Sequence, residues 1–251
     1  MSAIQLKNIT KSFNLDQENL PVLNGLSLYV NNREFVSLLG PSGCGKSTLF
    51  NIICGLINPD RGEVIVGEKE GMKAKDVVSY MPQKDLLLPW RTVLENVILA
   101  REVAGENKET VKKEAAHLLP LFGLEGFQNS FPAELSGGMR QRAALMRTML
   151  AQKEVLLLDE PFGALDAITR TRMQRWLLDV WNKFRQAVFF VTHDIDEALF
   201  LSDRVYVLTP RPARISLELK VELPRPRRAG ILTTSDFLQQ KRKVMHVLAM
   251  E

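Results

Sequence analysis

The chain has 251 residues and a formal net charge of +4 at pH 7, and 45% of its residues are apolar, 25% charged and 7% aromatic. This composition is typical of a globular protein with one large domain or two joined subdomains, and it excludes disordered, collagen-like and repeat-array chains. The longest stretch without a charged residue, 19–32, has 14 residues, which is fewer than the roughly 20 apolar residues of a membrane-spanning helix.

The basic excess lies near the C-terminus, where the residues from Arg211 onward include 9 Lys and Arg against 4 Asp and Glu. The densest part, 224–228, could approach nucleic acid or anionic lipid, but a solvated surface extension is the favoured interpretation. The N-terminus lacks the apolar core of a secretory signal, and Cys44 and Cys54 fit no metal-ligand or disulfide spacing. Both features predict a protein that stays in the cytosol.

The first third of the chain is predicted to form short strands around one helix. Alternating or continuous apolar residues place strands at 4–6, 26–30, 35–39, 64–66 and 77–81. The segment 35–39 ends in glycine, and a helix is predicted over 46–55. The local order is therefore strand, glycine-rich loop, helix.

The next part of the chain, about 85–153, is predicted to be helical. Apolar residues at helical spacing mark two amphipathic helices, with positions 93, 97 and 100 on the first and 111, 115, 118, 119 and 122 on the second. Strands and helices then alternate, with strands at 155–158, 188–191 and 205–208 and helices at 168–184 and 194–201. Such alternation indicates an α/β fold with a parallel sheet.

The loop after the third predicted strand matches a phosphate-binding pattern. The pattern is G, any four residues, G, K and then S or T, and it is formed by Gly40, Pro41, Ser42, Gly43, Cys44, Gly45, Lys46, Ser47 and Thr48. Its backbone N–H groups and the helix N-terminus would face a phosphate, Lys46 would neutralise β/γ oxygens, and the Ser47 hydroxyl could ligate Mg²⁺. A glycine turn that only caps a helix is the alternative, and the strand and helix on either side favour phosphate binding.

Two adjacent carboxylates end the apolar segment 155–158. Asp159 can position Mg²⁺ through its hydration shell, and Glu160 can orient and deprotonate the water that attacks a γ-phosphate. Taken alone, an apolar strand ending in Asp-Glu is more often one that simply enters a loop. Together with the phosphate-binding loop, it predicts a site where water attacks a γ-phosphate.

A second anion-binding helix start is predicted at Ser136, Gly137 and Gly138. Serine alone would be explained as a helix cap. Two glycines in the first turn cost roughly 1 kcal/mol each relative to alanine, which indicates that another group approaches this backbone closely.

These motifs together resemble the nucleotide-binding subunit of ATP-binding cassette (ABC) transporters. The resemblance rests on the phosphate-binding loop, Leu-Ser-Gly-Gly-Met at 135–139, the strand ending in Glu160, Ala-Leu-Asp at 164–166, and His193. It implies an α/β fold with a P-loop NTPase (RecA-like) core, an antiparallel β portion and a helical ABC subdomain at about 85–157. The nucleotide-binding domain would cover 1–222, and 223–251 would be a short basic extension whose apolar residues suggest a helix packed on its own domain.

The resemblance also implies site residues and cofactors, namely ATP and Mg²⁺. Two copies would dimerise head to tail, with Ser136, Gly137 and Gly138 of one copy closing over the γ-phosphate held by the other and Asp166 coupling the two sites. Met139 stands where glutamine is commonest, which puts in doubt only the contact of that side chain.

Three further residues take roles from the family by position. Gln83 matches the glutamine that meets Mg²⁺ and the attacking water, and His193 matches the histidine that contacts the γ-phosphate. Phe13 matches the aromatic residue that stacks on adenine, often a tyrosine, although a core phenylalanine is the alternative.

The run Leu-Leu-Pro-Trp-Arg-Thr-Val at 87–93 and Pro-Arg-Pro-Ala-Arg-Ile at 210–215 resemble importers of nitrate, sulfonates, taurine and related small molecules. This subgroup implies a peripheral subunit on the cytoplasmic face of the inner membrane, with transmembrane permease subunits as partners and an extracytoplasmic solute-binding protein as an indirect one. Exposed apolar residues around 86–90 would dock the permease. The alternative is that they pack the helical subdomain.

Two other functions remain open. An ABC exporter subunit shares every catalytic motif. A non-transport ABC ATPase could use the basic C-terminus on nucleic acid or ribosomes, but the distance from Lys46 to Ser136 leaves no room for a long coiled-coil insertion. We therefore expect no nucleic-acid partner.

Overall fold

The computed structural model describes residues 2–15, 18–67, 73–163 and 165–250. The strands are β1 (Ser2–Leu15), β2 (Glu18–Asn31), β3 (Phe35–Leu39), β4 (Arg61–Val66), β5 (Val78–Met81), β6 (Val155–Asp159), β7 (Ala187–Thr192), β8 (Arg204–Leu208) and β9 (Ile215–Lys220). The α-helices are α1 (Lys46–Ile53), α2 (Ala74–Val77), α3 (Val93–Val97), α4 (Leu99–Val103), α5 (Lys108–Leu118), α6 (Gly137–Leu150), α7 (Ala167–Phe184), α8 (Ile195–Leu201) and α9 (Ser235–Ala249). Two short 3₁₀ helices, Pro132–Glu134 and Ala229–Thr233, complete these elements.

The main sheet has six strands in the order β5-β6-β7-β3-β8-β9. The first five run parallel, and β9 is antiparallel to β8. Because β3, β6, β7 and β8 are buried along their whole length, they read as nearly continuous apolar runs in the sequence. The predicted parallel α/β sheet is confirmed, and β9 is a strand that the prediction missed.

A second sheet of three antiparallel strands has the order β2-β1-β4. The prediction of an antiparallel β portion is confirmed, but β1 and β2 each have 14 residues, far more than the short strands predicted at 4–6 and 26–30. Polar residues interrupt the apolar alternation of both strands, and long-range pairing between them extends the hairpin beyond what the local pattern indicates. The apolar side chains of this sheet, of α1 and of one face of the main sheet form one core cluster.

The helices α3 to α6 form the region between β5 and β6. Their starts carry local caps, since Thr92 and Glu95 form a capping box and the side chains of Asn107 and Ser136 accept backbone N–H groups. The buried faces of α3, α5 and α6 join those of α7 in a second core cluster. The predicted helical region is confirmed in this part of the chain, while the division of the whole chain at residue 222 stays a prediction.

The C-terminal residues pack on the domain. Phe237 and Val244 of α9 are buried in a third cluster with α8 and β8, so the predicted helix lies on its own domain, although Leu238 is exposed.

The basic segment 224–228 is a solvated extension only in part, since Pro224, Pro226 and Arg228 are exposed while Arg225 is half-buried and Arg227 is buried. Arg227 is 6% exposed and donates hydrogen bonds to backbone carbonyls at the end of α8. Arg225 forms an ion pair with Asp203. A guanidinium group can be buried when carbonyl or carboxylate oxygens accept its hydrogen bonds. A count of charges along the sequence does not show where those acceptors lie. Within the described part of the chain, every helix is too short or too polar to cross a bilayer.

Candidate functional site

The candidate site lies where five neighbouring parallel strands end. Gln83 follows β5, Glu160 follows β6, His193 follows β7, the phosphate-binding loop follows β3, and Arg211 follows β8. The carboxyl ends of parallel strands meet at one edge of a sheet, where open α/β folds bind ligands. The strand order therefore gathers residues that are far apart in the sequence.

The phosphate-binding loop needs its glycines for conformation and for space. Gly43 and Gly45 have φ values of 75° and 120°. Residues that carry a side chain rarely adopt this backbone conformation. A Cβ atom on Gly45 would lie 2.8 Å from Cγ1 of Val22 and 3.0 Å from Cδ2 of Leu23. The β1–β2 hairpin therefore packs directly against the loop.

Lys46 is held at the centre of this loop. Its Nζ donates hydrogen bonds to the carbonyl oxygens of Gly40 and Pro41, at 2.8 and 2.9 Å, and the residue is 6% exposed. The Cys44 side chain is buried in the core, and burial raises the pKa of its thiol. Only the backbone of Cys44 is available to a ligand.

Asp159 lies beside Ser47 and Tyr80. Its carboxylate accepts a hydrogen bond from the Tyr80 hydroxyl at 3.3 Å, and the nearby Ser47 side chain favours its ionised form. Burial raises the pKa of Asp159, and the nearby negative charge of Glu160 acts in the same direction. A bound cation would offset this cost of keeping Asp159 ionised.

The donor set fits Mg²⁺. Among the residues that the structure describes, no group of three or more His, Cys, Asp or Glu side chains gathers as metal ligands. The pair of Ser47 and Asp159 offers hard oxygen donors, as Mg²⁺ prefers, and leaves the remaining ligand positions to water and phosphate. Gln83 would add an amide oxygen at the same edge.

Glu160 contacts two of the three other predicted catalytic side chains, Gln83 and His193. Its Oε2 atom accepts a hydrogen bond from Nε2 of Gln83 at 3.3 Å and lies 3.3 Å from Nδ1 of His193. The backbone of Glu160 has φ 45°, a left-handed conformation that is costly for a residue with a side chain and that clusters at functional sites. Its N–H donates to the carbonyl of Val191 at 3.0 Å, which joins the turn to the end of β7.

A cavity of about 500 Å³ connects the loop to this group. It is lined by Phe13, Asn14, Leu20, Val22, Ser42, Gly43, Gly45, Lys46, Ser47, Thr48, Gln83, Glu160 and Arg211. Phe13 therefore lies at the cavity as the resemblance implies, on the wall that the β1–β2 hairpin forms. The predicted residues Gly40, Pro41 and Cys44 do not line the cavity, and neither does His193, which lies 3.3 Å from Glu160.

Four residues of the lining, Asn14, Leu20, Val22 and Arg211, are not predicted from the sequence motifs. Nε of Arg211 donates a hydrogen bond to the carbonyl of Gly43, so a guanidinium group stands at the rim of the phosphate-binding loop. Arg211 falls within the segment that resembles the importer subgroup, but only the position of β8 beside β3 shows that it reaches the loop.

Ser136, Gly137, Gly138 and Asp166 do not line this cavity. The Ser136 hydroxyl caps α6 by accepting the N–H of Met139 at 3.3 Å, and Asp166 caps α7. The hydrogen bond that Asp166 accepts from the Thr169 backbone lowers the pKa of Asp166. Residue 164 lies outside the described residues.

The two glycines after Ser136 are not required by the fold of this chain. A Cβ atom on Gly138 would meet only Cγ2 of Thr169 at 3.5 Å, and one on Gly137 only Nη2 of Arg140 at 3.9 Å. Their bare backbone is therefore open to a group outside the chain.

Comparisons with known proteins agree with this geometry. The family described as ABC transporter matches residues 23–163. An uncharacterized ABC transporter ATP-binding protein of Methanocaldococcus jannaschii is 44% identical over 250 residues, which are 99% of this chain and 92% of the relative. The formylaminopyrimidine import ATP-binding protein ThiZ of Halalkalibacterium halodurans is 45% identical over 221 residues, covering 88% of this chain and 86% of the relative. The aliphatic sulfonates import ATP-binding protein SsuB of Bacillus cereus is 38% identical over 242 residues, covering 96% and 94%.

Solved structures show the same fold. The dimeric structure of the ABC transporter cassette MJ0796 has a TM-score of 0.77 and 32% sequence identity, and it covers 88% of this chain and 100% of that chain. The same cassette in a post-hydrolysis state, bound to ADP and Pi, has a TM-score of 0.74 and 30% identity. Because the family match covers more than half of the chain and the relatives align along most of their length, this chain belongs to the ABC transporter family and is one of its nucleotide-binding ATPase subunits.

Proposed function

We propose that this chain is the ATP-hydrolysing subunit of an ABC importer, which powers uptake of a small organic solute through a partner permease. The observation that carries the proposal is a set of exposed apolar side chains in the helical region, the first of which follows three residues after Gln83 in the chain. We call it the docking surface and define it by Leu86, Trp90 and Val103.

The docking surface is apolar and open to solvent. Leu86 is 58% exposed, Trp90 71% and Val103 79%. Leu87 is 8% exposed and belongs to the core, so the segment 86–90 both packs the helical region and presents side chains outward. Grouped exposed apolar residues of this kind mark sites of protein association.

A buried polar side chain, that of Asn96, fixes the backbone next to Trp90 by hydrogen bonds. Asn96 is 0% exposed, and its Nδ2 donates to the carbonyl oxygens of Leu88, Arg91 and Thr92 at 3.1, 3.0 and 3.0 Å. Its Oδ1 accepts the N–H of Leu88 at 2.7 Å. Trp90 therefore stands on a loop whose backbone hydrogen bonds are satisfied from inside, as a preorganised binding surface requires.

Arg147 joins the segment to a groove of about 560 Å³. Its Nη1 and Nη2 donate to the carbonyl oxygens of Leu86 and Asp85, at 2.7 and 2.6 Å. The same arginine lines the groove together with Leu99 and Val103. The occupant we propose is a short cytoplasmic helix of the permease that lies in the groove against Val103 and extends to Leu86 and Trp90, which stand outside the groove lining.

The docking surface is mechanically connected to the nucleotide site. Gln83, which contacts Glu160, lies two residues before Asp85 in the chain. Asp85 pairs with Arg140 of α6 at 3.3 Å, and Arg140 Nη1 donates to the carbonyl of Leu135 at 2.7 Å. A change at Glu160 therefore has a short path to the docking surface and to the start of α6.

In this proposal the residues of the cavity divide the chemistry of hydrolysis. The loop N–H groups and Lys46 bind the β- and γ-phosphates, and Phe13 stacks on the adenine. Glu160 accepts the proton of the attacking water, while Gln83 and His193 position that water and the γ-phosphate. Mg²⁺, held by Ser47, Asp159 and Gln83, would neutralise the developing phosphate charge.

The second ABC subunit completes the site. Ser136, Gly137 and Gly138 of one copy would meet the γ-phosphate of the other, because a Cβ atom on either glycine would meet no close contact within the chain and the similar cassette MJ0796 forms a dimer. Asp166, at the start of α7, would couple the two sites. We propose a homodimer held against the permease at the cytoplasmic face of the inner membrane.

The solute class follows from the relatives. ThiZ and SsuB are named for import of formylaminopyrimidine and aliphatic sulfonates, so we propose a small organic solute of that kind, delivered by an extracytoplasmic binding protein. The nucleic-acid alternative loses its main support, because Arg225 and Arg227 are engaged with the domain.

The test is affinity purification of the Glu160→Gln chain from detergent-solubilised native membranes with ATP present. Recovery of a multi-span permease that is lost when Trp90→Ala is added to the same chain would support the proposal. Recovery of ribosomes or nucleic acid without a permease would overturn it.

A further inference from the structure

A second cavity, of about 300 Å³, lies between α7 and the C-terminal segment and is lined by arginines. We call it the arginine pocket and define it by Arg175 and Asp179 on α7 and by Arg225, Arg227 and Arg228 on the segment that leads to α9. It shares no lining residue with the nucleotide cavity.

Arg227 is the buried wall of the arginine pocket. It is 6% exposed, and its Nη1 donates to the carbonyl oxygens of Leu199, Phe200 and Ser202 at 3.1, 3.1 and 2.6 Å. Its Nη2 donates to the carbonyl of Leu223 at 3.3 Å. These acceptors are neutral, so the hydrogen bonds hold the guanidinium in place without cancelling its charge.

The donors of Arg227 are not all used. Nε is buried and has no hydrogen-bond partner among the described residues, and Nη2 has one acceptor for its two hydrogens. An unpartnered donor on a buried cation costs free energy unless an acceptor is supplied. Within the described residues Arg227 also forms no ion pair, so the buried guanidinium in the pocket wall has no carboxylate to balance its charge.

The charged residues around Arg227 leave the arginine pocket with an excess of positive charge. Arg225 is neutralised by Asp203 at 2.8 Å and lies over the Trp181 ring. The side chains of Arg175 and Arg228 are exposed, and within the described ranges neither forms an ion pair or hydrogen bond. Asp179 is the acidic residue in the lining, and it makes no ion pair with these arginines within 4 Å in the part of the chain that the structure describes. Burial, reinforced by the charge of Arg225, lowers the pKa of Arg227 to about 10.

We propose that the arginine pocket binds a small oxyanion, of the phosphate, sulfate or sulfonate class, between Arg175, Arg227 and Arg228. Guanidinium groups form paired hydrogen bonds with two oxygens of such anions. The volume of the pocket accommodates an anion with a few water molecules or a short organic tail. The anion would bridge α7, which Asp166 caps, to the segment that leads to α9, and would therefore fix the C-terminal helix on the domain.

The experiment must separate this site from the phosphate-binding loop, which also takes anions. The chain is therefore saturated with ADP and Mg²⁺, and sulfate, inorganic phosphate and methanesulfonate are titrated in turn by calorimetry, with chloride at matched ionic strength as reference. The test variants are Arg175→Gln and Arg228→Gln, whose side chains are exposed, so that neither change removes a contact within the fold. Arg172→Gln is the matched control, because Arg172 is an exposed arginine on the same helix that does not line the pocket.

We expect saturable binding of at least one of the three anions with a dissociation constant below about 10 mM, weakened about 10-fold by Arg175→Gln and by Arg228→Gln and unchanged by Arg172→Gln. The thermal midpoint of the ADP-loaded protein should rise with the same anion, and this rise should be lost in both test variants. Absence of saturable binding to the ADP-loaded wild type, or equal effects of all three substitutions, would overturn the proposal.

Discussion

The carboxylate of Glu160 lies 3.3 Å from Nδ1 of His193, and the two residues follow directly after the neighbouring strands β6 and β7. The backbone adds a second link, since the N–H of Glu160 donates to the carbonyl of Val191. The carboxylate is thereby aimed at the mouth of the phosphate-binding loop, with the Gln83 amide on the same oxygen. This contact places a proton acceptor beside two groups that can position a γ-phosphate and a water molecule.

Replacing Glu160 by Gln removes the proton acceptor while keeping the shape of the side chain. We expect kcat for ATP hydrolysis to fall by about 10² to 10⁴-fold, the range for loss of a general base. Nucleotide affinity and ATP-dependent dimerisation should be preserved, as measured by calorimetry and by size-exclusion chromatography with light scattering. Near-wild-type hydrolysis by this variant would remove Glu160 from its role.

Gly138→Ala separates a role in folding from a role between chains. A Cβ atom at this position would meet ordinary van der Waals distances within the chain, so the free energy of unfolding should stay within about 1 kcal/mol of wild type. ATPase activity should nevertheless fall about 10-fold or more, because the added methyl group would block the close approach of the partner's phosphate.

The control for this prediction is Gly45→Ala, which should unfold or lose nucleotide binding because its Cβ would lie 2.8 Å from Val22. Full ATPase activity in Gly138→Ala would contradict the interchain role of Ser136, Gly137 and Gly138.

Arg211→Ala tests whether Arg211, at the rim of the phosphate-binding loop, contributes to ATP binding. Because Arg211 lines the nucleotide cavity and donates to Gly43, we expect KM for ATP to rise about 5- to 10-fold, the worth of one charge-assisted hydrogen bond, with a smaller change in kcat. Arg214→Ala is the control, since Arg214 lies in the same turn but does not line the cavity. Equal KM values for the two variants would show that Arg211 only braces the loop.

Trp90→Ala should uncouple the subunit from its permease. Trp90 is 71% exposed and takes no part in the nucleotide cavity, so basal ATPase activity of the isolated subunit should be unchanged. Affinity for the permease should fall about 30-fold or more, as for loss of an aromatic anchor at an interface. The control is Phe184→Ala, which truncates an aromatic residue that is 40% exposed at the end of α7. Equal permease binding by both variants would contradict the location of the docking surface.

Glu197 predicts a pH dependence of stability. It is 5% exposed and accepts hydrogen bonds from Thr192 and from Gln174, and burial raises the pKa of its carboxyl. The unfolded chain has the ordinary value of about 4.3. Between the two pKa values the folded state binds a proton that the unfolded state releases, so the free energy of unfolding rises as pH falls through the folded-state pKa.

The measurement is urea denaturation of wild type and Glu197→Gln as pH is lowered from about 8 toward the ordinary glutamate pKa. The wild type should gain stability relative to the variant, which cannot take up this proton. Glu109→Gln, at an exposed carboxyl of α5, should keep the wild-type profile. Parallel profiles for wild type and Glu197→Gln would show that Glu197 does not titrate in this way.

The phosphate-binding loop and the strand before it could be predicted because their determinants are local. Glycines with positive φ, a lysine and a serine lie within nine residues, and a fully buried strand is a continuous apolar run whatever its neighbours are. For the same reason α6 begins at Gly137 after its Ser136 cap, as predicted.

Features that depend on pairing between distant segments could not be predicted from the local sequence. The β1–β2 hairpin is much longer than its alternation indicates, and β9 pairs with β8 although its side chains are half exposed. Arg227 is charged and near the C-terminus, yet it is buried, because its guanidinium donates hydrogen bonds to the carbonyls at the end of α8. In each case, the deciding partners are remote in the sequence.

The sequence by itself determined which chemistry this protein carries, because a phosphate-binding loop, a strand ending in two carboxylates and a serine-glycine helix start are defined by residues close together in the chain. Only the tertiary structure decided which of them meet. The order β5-β6-β7-β3-β8 sets Gln83, Glu160, His193, the loop and Arg211 side by side, since neighbouring parallel strands are chosen by packing of their buried faces rather than by their order in the chain. The same packing leaves the backbone of Gly137 and Gly138 open, away from that cavity.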